Sequence, residues 1–378
     1  MLAAFSRVPA LAEIASADKC QMHRKLVQLM QQYNGQQNPL HNRERFDCIQ
    51  TEWPGVHVRV ITRKVTPSEG GKRLHRLLRS LLPNIPLGQV YKMIDQGKVR
   101  VNGKRKNQNY ELASGDEITI FMEEDAFKEA GPVVKKPKYA GVNANIDVVY
   151  EDAELLVVHK PAGELTHPDR SEQRDTLIGR VHAYLYRRGE LDSPVFLPAP
   201  ANRLDRNTSG LVLIGKTAGM LHQLNQWIKN RQLDKYYITI IEGKLSGSGT
   251  ISGLVERDEG SNRTRVVRAN EQRREEGAAR KAATTNYEVL QTSSAYSLVE
   301  VELISGRTHQ IRAHFQSIGH PLLGDIKYGG HALGELNHQL LHAWRIELPD
   351  GRTFRAPLPQ QFRAVLKRVG LNMDAGGR

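Results

Sequence analysis

Cysteine and long apolar runs are scarce in this 378-residue sequence. Cys20 and Cys48 are the only cysteines, too few for a disulfide framework or a thiolate zinc site, as is typical of a reducing compartment. No apolar stretch approaches the roughly 18 to 20 residues that a membrane-spanning helix requires. We therefore expect a cytoplasmic protein without a membrane partner. An organellar location is the alternative, because Arg7 is basic, but Glu13 and Asp18 are unusual in a targeting peptide.

Positive charge is what the sequence has in excess. The 54 Lys and Arg against 41 Asp and Glu give a formal net charge of +13 at pH 7. Such an excess favours a polyanionic partner, and nucleic acid more than a membrane surface. A basic surface that only keeps the protein soluble has the same composition, so the charge alone does not decide between the two.

The chain is longer than one typical domain, and its composition changes along its length. The first segment carries one amphipathic helix around Met22, followed by the polar tract Gln31–Asn42, and we expect a poorly ordered extension. A stretch rich in Lys, Pro and Gly is typical of a basic linker. The predicted segments are an extension at 1–55, a small α/β domain at 56–124, the linker at 125–145, a larger domain at 146–369 and a tail at 370–378.

The small domain shows two helical patterns and a tight turn. Leucines at positions 74, 77, 78 and 81 recur at helical spacing until Pro83, and a second helix from Leu87 ends near Gly97. Asn102-Gly103 is a strong signal for a two-residue hairpin turn. Cations concentrate on the first helix, beginning at Lys72, and around the turn. The predicted RNA-binding residues are Arg73, Arg76, Arg100, Lys104, Arg105 and Lys106.

A solvated charged face is the alternative to RNA binding at these residues. The run from Leu74 to Ile120, with Val99-Arg100-Val101-Asn102-Gly103-Lys104 at its core, resembles the alpha-L RNA-binding fold first known from a small-subunit ribosomal protein. This resemblance implies that the basic face binds structured RNA.

In the larger domain, the polar turn Asn202–Gly210 leads into the apolar run Leu211–Ile214. Asp205 lies in this turn between two arginines, and a turn that feeds a buried strand can hold a reactive carboxylate at the floor of a cleft. An aspartate between arginines is more often an ion pair, so the residues themselves leave both interpretations open.

Two other patterns in this domain predict no site. Gly210–Thr217 satisfies the letters of a phosphate-binding loop, but the residues between its glycines are a β-forming apolar run, which predicts a buried strand. His338 and His342 have the spacing of zinc ligands on a helix, but the glutamate that follows the first histidine in a metalloprotease is missing and no cysteine is near, so we predict no metal site.

Strand patterns dominate the rest of the larger domain, at 235–242, 285–290 and 296–303. Helices are predicted at 176–188, 218–230 and 309–317. Thr308 is the expected N-cap of the last helix, with Ile311, Phe315 and Ile318 as its buried stripe and Arg312 on the opposite side.

Several motifs of the larger domain occur in the order found in RluA-type pseudouridine synthases. Together with the small domain, the resemblance covers roughly residues 56 to 365. The motifs are Arg203–Leu211, Lys160–Gly163 with His167-Pro168, Lys235–Tyr237 followed by Glu242-Gly243, and Gly306–His314 followed by Gly319–Asp325 and Tyr328-Gly329.

The resemblance implies an α+β fold in which a mixed, mainly antiparallel sheet with flanking helices forms a catalytic domain with a central cleft. It also implies an enzyme that isomerises uridine in RNA without metal or cofactor, acts as a monomer and modifies large-subunit ribosomal RNA.

Asp205 would be the essential carboxylate, as nucleophile at C1′ or as base at C2′. Arg312 would pair with it, and Tyr237 would stack on the base and help to remove the C5 proton, whereas Tyr236 would face the other side of its strand. The implied substrate-binding residues are Arg203, Asn202, Lys160, Thr208, Arg307 and His309.

Two positions depart from the family pattern. Asn202 replaces the histidine that usually begins the aspartate motif, and His159 replaces the asparagine before Lys-Pro. A transfer RNA substrate, and a non-catalytic RNA-binding or assembly role, remain the alternatives. A glycoside hydrolase would need a second carboxylate at a defined distance from Asp205, and no such residue is recognisable in the sequence.

Overall fold

The fold is described by a computed structural model, in which the predicted helix around Met22 and most of the predicted linker lie outside the described residues. Among the described residues we find no helix with the length and apolar character that crossing a membrane requires. The described ranges are 47–53, 56–123, 130, 139, 141–169, 175–191, 193, 195–258, 260–261, 263–267 and 280–373.

The small domain is a four-stranded antiparallel sheet with two helices. In space the strands follow the order β1-β2-β4-β3. The leucine stripe of α1 and Val90 and Ile94 of α2 are buried, which confirms both predicted helices. The elements are β1 (Asp47–Trp53), β2 (Val56–Lys64), α1 (Leu74–Leu81), α2 (Leu87–Asp95), β3 (Val99–Val101) and β4 (Glu117–Glu123).

Two features of this sheet differ from the sequence-based expectation. Strand β1 pairs with β2 along its whole length, although its residues fall within the segment expected to be a poorly ordered extension. The predicted turn at Asn102-Gly103 is present, with φ angles of 50° and 72°. Beyond the turn only Lys104 bridges back to Val101, and the partner strand of β3 is β4, further along the chain.

The larger sheet has the order β11-β10-β12-β13-β9-β14-β8-β6-β5. Its pairs are antiparallel except that of β8 with β14, so the predicted mixed, mainly antiparallel α+β fold is confirmed. The strands are β5 (Asp147–Glu151), β6 (Leu155–Lys160), β7 (Ala199–Pro200), β8 (Ser209–Gly215), β9 (Asp234–Glu242), β10 (Ser248–Asp258), β11 (Arg263–Val266), β12 (Lys281–Thr292), β13 (Tyr296–Leu303), β14 (Leu341–Glu347) and β15 (Thr353–Arg355).

Helices cover both faces of this sheet because its central strands are apolar on both sides. Alternate residues of β6 and β8 pack against α3 and α5 on one face. The residues between them pack against α4, and β9 packs against α6 on that second face. The helices are α3 (Leu177–Arg187), α4 (Ala218–Lys229), α5 (Gln310–Ser317) and α6 (Gln360–Arg368).

Strand β8 is the buried strand that the Gly210–Thr217 pattern predicted. All of its residues are buried. Lys216, after its end, forms ion pairs with Glu151 and Glu190 at 2.7 Å each. Thr217 caps α4 by accepting a hydrogen bond from the Met220 amide, at 3.1 Å. The lysine and threonine that resemble a phosphate-binding loop therefore have internal structural roles.

Gly210 allows β8 to lie directly beside β14. Its φ is 121°, and an added Cβ would lie 2.2 Å from the Ala343 carbonyl oxygen. A side chain at this position would collide with the backbone of the neighbouring strand. This close approach places the loop before β8 next to β9 and α5, which carry the other predicted catalytic residues.

Candidate active site

Asp205 lies in a tight turn at the entrance to β8. The Thr208 amide donates to the Asp205 carbonyl at 3.0 Å, which closes the turn. The Asp205 side chain is 24% exposed, so the carboxylate is accessible from the cleft and partly shielded from water. A carboxylate in such a position can act on a bound ligand without the cost of full burial.

Lys160 lies beneath this turn and binds its backbone. Its ammonium donates to the carbonyl oxygens of Pro161 and Glu164 at 2.8 Å and of Arg206 at 3.0 Å. The whole residue is buried, at 0% exposure. The expectation that Lys160 contacts the substrate therefore disagrees with the structure, since its three donors are used on the backbone around Asp205.

Lys160 is buried deeply enough to change its pKa. Burial lowers the pKa of Lys160 to about 8, although the Glu164 and Asp205 carboxylates act in the opposite direction. The three carbonyl acceptors require three N–H donors and therefore the ammonium form. The lysine thus holds a positive charge beneath the turn and orients its backbone.

Asn202 also supports the turn rather than lining the cleft. Its Nδ2 donates to the Leu211 carbonyl at 3.1 Å, and its Oδ1 accepts from the Leu213 amide at 2.8 Å. Both polar atoms of the amide are thus bonded to the backbone of β8. The expected substrate contact of Asn202 is replaced by a role in fixing the chain before Asp205 to the strand after it.

Helix α5 begins differently from the prediction. Its N-cap is His309, with a left-handed φ of 53°, and not Thr308. The Thr308 carbonyl instead accepts from the Thr264 hydroxyl at 2.8 Å. The Gln310 side chain fixes the loop before the helix, because its Oε1 accepts from the Arg307 amide at 3.0 Å. Ile318, expected in the buried stripe, is 38% exposed.

Arg312 on α5 connects two carboxylates. Its Nε and Nη2 donate to the two oxygens of Asp325 at 2.7 Å each. Its Nη1 lies 3.5 Å from Asp205 Oδ2, and its guanidinium stacks over the Tyr328 ring at 4.6 Å. Burial opposes the charge, but the hydrogen bond and charge of Asp325, with the charge of Asp205, raise the pKa of Arg312. The arginine is therefore a fixed cation beside Asp205.

Two cavities meet at Asp205. One has a volume of about 110 Å³ and extends toward Tyr237 and Leu341. The other, of about 530 Å³, extends toward His167 and Lys327. Residues that line both cavities are Arg203, Leu204, Asp205, His309 and Arg312. Of the remaining predicted substrate-binding residues, Thr208 and Arg307 line the smaller cavity.

Tyr237 forms one wall of the smaller cavity from β9. It is 6% exposed, and burial, together with the charge of Asp205, raises the pKa of Tyr237, so its phenol is neutral. Tyr236 points to the opposite face of β9, where the Arg345 guanidinium stacks over its ring at 3.9 Å. The register expected for the two tyrosines thus agrees with the structure.

Asp325 and Tyr328 are the residues of this site to which the sequence assigned no role. Both lie in the motif that follows α5, Gly319–Asp325 with Tyr328-Gly329. No spacing pattern in the sequence connects Asp325 with Arg312 or Tyr328 with His309. Asp325 is 1% exposed and Tyr328 is fully buried. Each contacts a residue of α5 that faces Asp205, so together they determine the geometry on that side.

The basic residues of the small domain lie on α1, on β3 and on the segment after the turn. This segment runs beside the start of α1, where the Leu74 amide donates to the Tyr110 carbonyl at 2.9 Å. Arg76, Lys104 and Arg105 are exposed. Lys72 differs from the prediction, because its ammonium donates to the Val195 carbonyl of the larger domain at 3.2 Å. Arg73, Arg100 and Lys106 are partly buried.

Two protein families match separate parts of the chain. The family described as RNA pseudouridylate synthase matches residues 154–317, and the S4 domain matches residues 72–118. The first range contains Asp205, Tyr237 and Arg312. The second contains all of the predicted RNA-binding residues of the small domain.

Individual relatives extend over most of the chain. An uncharacterized RNA pseudouridine synthase of Chlorobaculum parvum is 34% identical over 339 residues, covering 83% of this chain and 99% of the relative. Ribosomal large subunit pseudouridine synthase C of Vibrio vulnificus is 31% identical over 314 residues, covering 79% of this chain and 93% of the relative. The solved structure of human RNA Pseudouridylate Synthase Domain Containing 4 has a similar fold, with a TM-score of 0.50 and 22% identity over 60% of this chain and 94% of that one.

Proposed function

Because this chain belongs to the RNA pseudouridine synthase family, we propose that it isomerises specific uridines of large-subunit ribosomal RNA and that Asp205 is its essential catalytic residue. The observation that carries this proposal is the convergence of Asp205, Tyr237 and Arg312 on one cavity. The name of the relative from Vibrio vulnificus supports large-subunit ribosomal RNA over transfer RNA as the substrate. In this proposal the enzyme uses no cofactor or metal, acts as a monomer and works in the cytoplasm.

The reaction breaks one bond of the nucleotide and forms another. The target uridine leaves its stack and enters the cleft. The bond from C1′ to N1 breaks, the uracil turns, a bond from C5 to C1′ forms, the proton on C5 is released to solvent, and N1 takes up one proton. The atoms balance without an oxidant or a second substrate, so the protein has to supply a carboxylate, a fixed charge and a surface for the base.

Asp205 supplies the carboxylate, and it acts in its ionised form. It either attacks C1′ as N1 leaves and is later displaced by C5, or removes the proton from C2′ and later returns it, and both steps require the anion. Arg312 stabilises that anion from 3.5 Å, and the bidentate bond to Asp325 prevents the guanidinium from moving away. The carboxylate therefore keeps its position and its direction as the base turns.

Tyr237 supplies the surface for the base. Its ring lines the smaller cavity beside Asp205 and Leu341, where a planar uracil could stack on it. Its raised pKa keeps the phenol protonated, and a neutral phenol is a weak proton acceptor. Stacking is therefore the role that the geometry supports better than removal of the C5 proton.

The other side chains at the cavities are proposed to hold the nucleotide. Arg203 and Arg307 are exposed at the lining and suit phosphate oxygens, whereas Thr208 suits a ribose or base atom. We assign RNA binding to the domain at 56–124, with the basic linker at 125–145 and catalysis in the domain at 146–369.

Release of tritium from C5 tests this function directly. Large-subunit ribosomal RNA transcribed with uridine tritiated at C5 should lose tritium to water when the purified protein is added, with one or a few equivalents lost per transcript. Transfer RNA transcribed in the same way should lose none. Binding without release on both RNAs would support the assembly-factor alternative instead.

Lys104, Arg105 and Lys106 are expected to provide salt-dependent affinity. Their joint replacement by alanine should weaken binding of the ribosomal transcript by about tenfold or more, and the slope of log Kd against log salt should fall by roughly one unit per lost phosphate contact. Filter binding over a salt series measures both quantities. In the control variant, alanine replaces Arg363, Lys367 and Arg368 of α6, which removes the same number of positive charges. Equal weakening of RNA binding in both variants would reject a dedicated RNA-binding face.

Lys160→Met tests the support beneath Asp205. The substitution leaves three carbonyls around the turn without their donor, at a cost of about 1 to 3 kcal/mol for a buried group. We expect lower stability in urea unfolding and at least about a tenfold lower kcat, because the catalytic turn loses its anchor. Lys216→Met is the matched control, since it also removes a buried lysine but lies away from the cavities. A kcat for Lys160→Met equal to that of the control would remove Lys160 from this role.

A further inference from the structure

His309 is held in an unusual backbone conformation at the edge of both cavities. Its φ of 53° lies in the left-handed region, which only a few per cent of residues other than glycine adopt, although histidine does so more often than most. The position is the N-cap of α5, yet the side chain makes no capping hydrogen bond. The imidazole is directed into the site instead, with 10% of the side chain exposed. Residues in such backbone conformations are concentrated at active sites.

One nitrogen of this imidazole has a defined partner. His309 Nδ1 lies 3.0 Å from the Tyr328 hydroxyl. The same hydroxyl oxygen accepts from the Thr264 amide at 2.8 Å. Because the Thr264 amide can only donate, the proton of Tyr328 is free to be donated to Nδ1. Nδ1 is then the bare nitrogen, and the ring proton of the neutral imidazole is on Nε2.

The protonated nitrogen faces the catalytic carboxylate. His309 Nε2 lies 3.6 Å from Asp205 Oδ2, and Arg312 Nη1 lies 3.5 Å from the same oxygen. Both donors approach Oδ2, so neither contact involves Oδ1. These distances exceed a hydrogen bond, and contacts of this kind commonly shorten when a substrate closes the site. The arrangement can fix the carboxylate by one oxygen and present the other to the ribose.

Burial favours the neutral form of the His309 ring. Burial lowers the pKa of His309, and the cations Arg312 and Lys327 lower it further, whereas Asp205 and Asp325 act in the opposite direction. Tyr328, the remaining ionisable contact, donates to the ring only while Nδ1 is bare. Protonation of Nδ1 at low pH would reverse this hydrogen bond, because the Tyr328 oxygen would then accept from both Nδ1 and the Thr264 amide.

We propose that His309 is a positioning residue, which Tyr328 and the Thr264 amide hold in the Nε2–H tautomer so that it donates to Asp205 Oδ2 and directs Oδ1 toward the ribose. This inference rests on the proposed function, because the carboxylate that it orients is the proposed catalytic group. It assigns to Tyr328 a role in orienting His309, in addition to the stacking of its ring on Arg312.

Two substitutions at His309 distinguish the loss of the hydrogen-bond donor to Asp205 from an effect on folding. His309→Asn keeps a residue that tolerates the left-handed conformation, but its short amide does not reach Asp205. We expect kcat on the ribosomal transcript to fall by about 10- to 100-fold, with KM nearly unchanged. His309→Gln places an amide N–H near the position of Nε2 and should restore most of the kcat. Full activity of His309→Asn, or equal loss in two variants that circular dichroism shows to be folded, would overturn the proposal.

The tautomer can be measured without any RNA. In the full-length protein labelled with ¹⁵N-histidine, the nitrogen shifts of His309, assigned by comparison with His309→Asn, should report a bare Nδ1 and a protonated Nε2 at neutral pH. Tyr328→Phe keeps the ring beneath Arg312 but removes the hydroxyl, and it should abolish this preference and lower kcat. A proton on Nδ1 in the unmodified protein would overturn the inference.

The two measurements distinguish this inference from the proposed function. If the unmodified protein releases no tritium from any RNA, the proposed function fails, and the nitrogen shifts still decide the tautomer. If the protein is active and His309→Asn is equally active, the function stands and the positioning role fails.

Discussion

Replacement of Asp205 by asparagine is expected to lower pseudouridine formation by about 10⁴-fold or more, with little change in RNA affinity. The amide has the shape of the carboxylate but can neither attack C1′ nor remove a proton from C2′. The fold should persist, because Arg312 keeps its bidentate bond to Asp325 when the charge at position 205 is lost. Tritium release under single-turnover conditions measures the rate, and filter binding measures the affinity.

Asp169 provides a matched control for this substitution. It is an exposed aspartate that lines the larger cavity, and it lies 3.8 Å from Arg206. Asp169→Asn therefore removes one negative charge from the same cleft without touching the pair formed by Asp205 and Arg312. Equal losses in the two variants would indicate a general effect of charge in the cleft and would contradict a catalytic role specific to Asp205.

Arg312→Ala is expected to have the second-largest effect, a decrease in kcat of about 10² to 10³-fold. The substitution removes the cation 3.5 Å from the Asp205 carboxylate. It also leaves Asp325, which is 1% exposed, without its partner, at a cost of about 3 to 5 kcal/mol in stability. Activity therefore has to be measured at a temperature where circular dichroism shows that the variant is folded.

Two further variants separate the catalytic effect of Arg312 from the structural one. Asp325→Asn keeps the guanidinium but weakens its anchor, so its kcat should lie between those of Arg312→Ala and the unmodified protein. Arg345→Ala removes another partly buried arginine, one that packs on Tyr236 at the opposite face of the sheet. We expect this control to lose stability but not turnover. An Arg312→Ala protein that is folded and has an unchanged kcat would exclude the proposed pairing with Asp205.

Local patterns predicted the elements because each depends on neighbours in sequence. The leucine stripe of α1 and the apolar run of β8 bury the residues that their periodicities indicate. The Asn102-Gly103 turn adopts its positive φ angles because both residues tolerate them. Strand β1 was missed because its stability depends on pairing with β2, a tertiary contact that its own sequence does not reveal.

The functional side chains were harder to place, because their roles depend on distances between distant segments. A lysine before a Pro/Gly turn looked available for a ligand, but the carbonyls around Asp205 surround Lys160 and leave it no exposed surface. Thr308 is a good N-cap by residue type, but the left-handed His309 moved the helix start by one residue. Asp325 acquires its role only from the fold, which brings its carboxylate against Arg312.

Mapping of pseudouridines in large-subunit ribosomal RNA, at single-nucleotide resolution, is the measurement that tests the central claim most directly. It compares cells that lack the gene with the same cells carrying either the unmodified gene or the Asp205→Asn variant at equal protein levels. We expect one or a few pseudouridines to disappear without the gene, to return with the unmodified protein and to stay absent with Asp205→Asn. Restoration of those pseudouridines by Asp205→Asn, or an unchanged map in cells without the gene, would contradict the assignment of this chain as an Asp205-dependent synthase acting on that RNA.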